Sequence, residues 1–138
     1  MPIPQEYQRA TDYFYEFLLD ARDTAGLGST HQTYTMVQGV LRTFRRRLDI
    51  KDAILFASVL PAVLRAIFVT DWNTDEPRRP FEPRALMNKE IQALRAGHNF
   101  ATETAIGDVA NALRRHVDED AFNQVLAELP EGAVEFWQ

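Results

Sequence analysis

The stretch VLRTFRRRLDIKDAILFASVLPAVLRAIF, residues 40–68, is written a second time, degraded, as VANALRRHVDEDAFNQVLAELPEGAVEFW at residues 109–137. The two copies align without a gap at an offset of 69 residues. Val40/Val109, Arg45/Arg114, Arg46/Arg115, Asp49/Asp118, Leu60/Leu129 and Pro61/Pro130 are identical. Further pairs share one apolar pattern, among them Phe44/Leu113, Leu48/Val117, Ile67/Phe136 and Phe68/Trp137. A block repeated at a fixed period is one supersecondary unit used twice. The expected domain plan is a first helical unit at residues 5–70, a linker at 71–83 and a second unit at 84–138.

Each copy reads as helices. Val37, Val40, Leu41, Phe44 and Leu48 recur at spacings of three and four, which predicts an amphipathic helix ending near Leu48. Asp49 then supplies an N-cap, with Asp52 in the first turn at the positive end of the dipole. Leu60-Pro61 predicts a break, because an interior proline removes a helical hydrogen bond while a first-turn proline is tolerated. A fresh short helix from Pro61 to about Val69 is the reading that follows; a single kinked helix is the alternative.

Working outward, Tyr7, Ala10, Phe14, Phe17, Leu18, Ala21 and Ala25 form one stripe and predict a helix over residues 5–25. Gly26-Leu27-Gly28 ends it, glycine being free to take the left-handed C-cap. Ser29 with Gln32 makes a capping box for the next helix. Residues 71–83, DWNTDEPRRPFEP, carry three prolines and form the linker, with Trp72 and Phe81 expected to fold back onto the body. A helix follows over residues 84–96, with Gly97 matching Gly28. Asn99 or Thr102 caps the next helix, along the stripe Ile106, Val109, Ala110, Leu113 and Val117. Asp118 caps another through Leu129, and residues 130–138 form a short last helix. No sustained alternation or hairpin turn signal occurs. The fold class is therefore all-α: two tandem units of about four helices each, packed into one compact bundle.

The 138 residues are 46% hydrophobic and 25% charged, enough for a real core without disulfides or metals. There is no cysteine, which excludes a disulfide framework, a thiolate metal site and a thiol nucleophile. The net charge of −5 disfavours a nucleic-acid partner. The start shows no basic segment followed by an apolar one, so no secretory signal is read there. The most apolar run, residues 53–69, holds Ser58, Pro61 and Arg65 and is short for a membrane span. No membrane association is expected.

The two copies differ at Ile50, Ile54, Leu55 and Val59, which align with Glu119, Asn123, Gln124 and Glu128. The first copy of this helix is apolar on more than one face, the second on one. A helix apolar all round is buried on all sides. Residues 49–60 are thus expected between the halves or against a partner chain.

The pattern V-L-R-T-F-R-R-R-L at residues 40–48, the acidic cap, Leu60-Pro61, Leu64-Arg65 and the following Trp72 resemble the family called domain of unknown function 2267. That family is built around such a block, often in two copies. The second copy here departs from it, with Val134 where the first has Arg65. The resemblance covers about residues 10–137. It implies an all-helical fold and a mostly bacterial, cytoplasmic setting, and it brings no activity, cofactor or site residues.

Candidate chemistry is sparse. His31, His98 and His116 share no metal-binding spacing, so no metal is expected. By the repeat offset His116 matches Arg47, in a row read as exposed basic positions. Acidic residues sit at helix starts, where dipole compensation accounts for them. Gly26-Leu27-Gly28 lacks the strand and lysine of a phosphate loop, and no G-x-S-x-G elbow occurs. No catalytic residue and no cofactor are read, and an enzyme is not the expected answer. Arg42, Arg45 and Arg46, echoed by Arg114 and Arg115, are the candidate anion patch. Their recurrence in both copies equally suits a structural role near a helix C-terminus. Ile50, Ile54, Leu55 and Val59, with Tyr13 and Tyr15, are the candidate interface. The expected function is a helical scaffold or protein-interaction module, acting on itself or on an unknown protein partner. Binding of an anion or nucleic acid through the arginine face is the alternative.

Overall fold

A computed structural model of the chain describes residues 3–94 and 101–138. Among them are nine helices and no strand. They are α1 (Gln5–Gln8), α2 (Ala10–Ala25), α3 (Thr30–Arg45), α4 (Ile50–Ala57), α5 (Ala62–Val69), α6 (Arg84–Ala93), α7 (Ala105–Arg114), α8 (Glu119–Glu128) and α9 (Ala133–Phe136).

Local chemistry sets most boundaries. Gly26 ends α2 in the left-handed region at φ 71°, where its N–H reaches back to the last turn. The Ser29 side chain accepts from the Gln32 N–H, while Gln32 Oε1 accepts from Gly28 rather than from Ser29. The capping box is thereby shifted by one residue. Asp49 and Asp118 each accept the backbone N–H three residues on, from Asp52 and Ala121. Pro61 opens α5 from the N-cap position, so the chain breaks at Leu60-Pro61 instead of kinking.

Three expectations differ from the structure. The helix of residues 5–25 is divided at Arg9, whose φ of −106° and ψ of 20° leave the helical basin. The long helix of the first block stops at Arg45, and residues 46–48 turn tightly toward Asp49. Thr102 does not cap α7; its hydroxyl donates to Asp108 Oδ2 at 2.9 Å. The cap comes instead from another helix, because the buried Asn88 of α6 accepts the Ile106 N–H at 3.0 Å. Gly97, Asn99 and His98 lie outside the described residues, as does the expected end of α6.

At the 69-residue offset several helix boundaries of the two blocks coincide in the sequence. α3 and α7 end at Arg45 and Arg114, and α4 and α8 start at Ile50 and Glu119. Ala53, Phe56 and Ala57 are the buried positions of α4, and Phe122, Val125 and Leu126 are those of α8. The blocks meet one another: α4 lies against α8, and α2, which precedes the first block, packs most extensively on α7.

The core centres on Trp137, fully buried. Its indole stacks on Phe56 at 5.6 Å and meets Phe44, Phe122 and Phe136 edge-on at 5.2–5.8 Å. The linker is pinned to this group by Phe81, 5.9 Å from Phe44. Gly132, at φ 103°, makes that approach possible: a Cβ there would sit 2.7 Å from the Phe81 ring.

Candidate functional site

The arginine rows turn inward on the chain's own carbonyls and carboxylates. Arg45 is buried, 6% exposed, and its Nη1 donates to the Phe68 and Thr70 carbonyls at 2.9 and 3.0 Å. Arg114 Nε donates to the Trp137 carbonyl at 2.8 Å. Phe68 and Trp137 are themselves a repeat pair, so each block closes its last helix with the same arginine. Each of the two guanidiniums also lies over a ring, Arg45 over Trp72 and Arg114 over Phe122, both at 5.3 Å. Burial, ahead of repulsion from Arg42 and Arg46, lowers the Arg45 pKa. Arg42 faces Asp71 at 3.6 Å, and Asp71 itself holds a left-handed φ of 55°. Arg46 pairs with Glu90 at 2.9 Å and Glu76 at 3.5 Å.

Arg47 departs from the exposed basic row in which its alignment with His116 set it. Its side chain is wholly buried, because residues 76–82 of the linker cross over it. It donates to Glu90 Oε2 at 2.6 Å, Glu82 Oε1 at 3.0 Å, and the Thr43 and Pro80 carbonyls. Every partner lies outside its own block except Thr43.

The second row is engaged with α2. Arg115 grips Asp20 through two bonds of 2.9 and 2.7 Å, and His116 Nε2 meets Asp20 Oδ2 at 2.8 Å. The Arg115 hydrogen bond, against the opposing effect of burial and with help from His116, holds the Asp20 carboxyl at about 2. The same bond raises Arg115. His116 also meets Phe17 edge-on at 5.7 Å. A histidine oriented by a carboxylate is the frame of a general base. Of the two clefts beside His116, one holds no serine or threonine, and in the other Ser58 Oγ donates to the Leu55 carbonyl. Among the described residues no group of three or more potential ligands is placed to hold a metal ion. None of their helices is long and apolar enough to cross a membrane.

α4 is enclosed on one face only. Ala53, Phe56 and Ala57 are buried, while Ile50 is 49% and Ile54 63% exposed. Leu55 and Val59 are half-buried against the core. The exposed pair, one helical turn apart, forms one stripe. Ile50 continues it into an open cleft of about 490 Å³, where it lines the wall with Leu48, Trp72 and Thr74 and with the charged Asp49, Lys51, Glu76 and Arg78. On α8 the same two positions carry Glu119 and Asn123, both exposed. Tyr13 and Tyr15 lie on α2 and do not line this cleft. Tyr13 sits under the Arg9 guanidinium at 5.0 Å, and Tyr15 is 54% exposed. Trp72 is the residue of this surface that periodicity could not supply, since it stands in the linker.

The family model of Uncharacterized conserved protein (DUF2267) matches residues 14–136. No curated protein matches the chain.

Proposed function

Since the chain belongs to the family Uncharacterized conserved protein (DUF2267), a name that assigns no activity, we propose its function from geometry: a helical protein-interaction module that seats an amphipathic helix of a partner protein on α4. The carrying observation is the contrast between two helices built on one plan. α8 bears Glu119 and Asn123 where α4 bears Ile50 and Ile54, so the fold has no need of apolar residues at those positions. Exposed aliphatic side chains beside a tryptophan-lined cleft fit helix-in-groove recognition, with the partner's apolar residues at spacings of three and four. Size favours a single helix over a second copy. A stable dimer buries roughly 800 Å² per partner, and this patch offers two exposed isoleucines and one cleft.

The arginine face lends no support to a second reading. Arg42 faces Asp71, while Arg45, Arg46, Arg114 and Arg115 are bonded within the chain, and the net charge is −5.

The test is a displayed library of amphipathic 12-residue helices, selected on the whole chain. Enriched peptides should lose at least about tenfold in affinity on Ile54→Lys, the scale of burying a lysine in an apolar contact. Enrichment that Ile50→Lys and Ile54→Lys leave unchanged would remove the α4 site. Light scattering that finds a dimer dissociated by Ile54→Lys would replace the partner helix by a second copy.

A further inference from the structure

The start of α2 and the start of α5 enclose a second, smaller cleft of about 200 Å³. Its body is apolar: Phe14, Phe17, Ala62, Val63 and Leu64 line it, with the Tyr13 ring. Glu6, Glu16 and the His116 imidazole also line it. His116 is held by Asp20, and Glu6 lies 3.7 Å from Arg65, while Glu16 is exposed and has no ion pair among the described residues. One wall is α1, a single turn with no buried residue, joined to α2 through the non-helical Arg9.

We propose that this cleft is a binding site for a small aromatic amine, one ring on a short chain ending in an ammonium group. The volume sets the size. An apolar cavity of about 150 Å³ admits benzene, so about 200 Å³ holds one ring and a short chain. The aromatic lining sets the class of body, since rings pack edge-to-face or offset on one another. The rim sets the charge: two carboxylates, one of them without a cationic partner, complement an ammonium and repel a carboxylate. Neither Arg9, 5.0 Å from the Tyr13 ring, nor Arg65, 3.7 Å from Glu6, lines the cleft itself. This site shares no residue with the cleft beside α4 and stands independently of the function proposed above.

The experiment is an NMR titration of the whole, isotope-labelled chain with phenethylamine at pH 7. Two one-ring probes of matched chain, neutral 2-phenylethanol and anionic phenylacetate, serve as comparisons. Phenethylamine should give saturable shifts in the amides of residues 10–17 and 62–64, with the alcohol weaker and the acid weakest. Glu16→Gln, an exposed substitution, should weaken the amine by up to roughly five-fold, as expected for an exposed ion pair, and leave the alcohol unchanged. Ala62→Phe should fill the cleft and abolish the shifts for all three. No saturable shift at millimolar amine, shifts confined to other residues, or an acid that binds as well as the amine would each overturn the assignment.

Discussion

Arg47 and Asp20 show how differently two charged residues serve one fold. Arg47 is a cation with no exposure, surrounded by two carboxylates and two carbonyls. Removing one member of such a buried set leaves the others uncompensated, at a cost of about 3–5 kcal/mol. Arg47→Ala is therefore expected to lose that much in urea unfolding, and Glu90→Gln to lose a smaller part. Asp20 titrates at about 2 in the folded chain, below its ordinary 3.8. The stability this shift contributes is complete above pH 3.8 and is lost as pH falls through 2, because protonation breaks the bonds to Arg115 and His116. Unfolding free energy measured from pH 5 to pH 2 should fall in that window for the natural chain and less steeply for Asp20→Asn. Sequence spacing reveals the Arg45/Arg114 pair, since both reach the carbonyl 23 residues on. It does not reveal Arg47, whose partners Glu82 and Glu90 come from the linker and α6 and share no period with it.

At the scale of elements, caps and prolines are the legible signals, because each acts within three or four residues. Asp49, Asp118, Ser29, Gly26 and Pro61 all act within that range. The division at Arg9 carries no such signal, with no glycine or proline beside it. The cap of α7 by Asn88 is equally silent, since 18 residues and a change of helix separate donor from acceptor. α4 illustrates a different limit. Its composition predicts burial or a partner, and only the packing distinguishes a face turned to solvent from one turned to the core. Ile54→Lys should leave thermal stability within about 0.5 kcal/mol of the natural chain, as surface substitutions do. Phe56→Ala, on the opposite face and packed on Trp137, should cost about 3–5 kcal/mol. Equal losses from the two substitutions in thermal unfolding would contradict the one-sided burial of α4.

Over the whole molecule, the repeat describes the order of elements and leaves their partners undetermined. α2, which precedes the first block, packs chiefly on α7 of the second, and α4 lies on α8. Cross-block packing has no signature in either copy alone, because the stripe of α2 is the same whichever helix covers it. Residues 5–70 prepared as a fragment would thus expose Phe17, Ala21 and Phe56 to water. We expect that fragment to show no cooperative thermal transition by circular dichroism, and mixing it with residues 71–138 to restore one. A cooperative transition in the isolated fragment would mean that the blocks are autonomous.

The seat of Trp137 has a further consequence for how the chain is made. Its indole fills the middle of the aromatic group, and its carbonyl is the anchor for Arg114. A nascent chain leaving the ribosome carries Phe44 and Phe56 for some eighty residues of translation before the ring that packs on both of them emerges. Folding of this protein is thus expected to wait for the end of that stretch, with early helices held unpaired and open to chaperones until residue 137 is free.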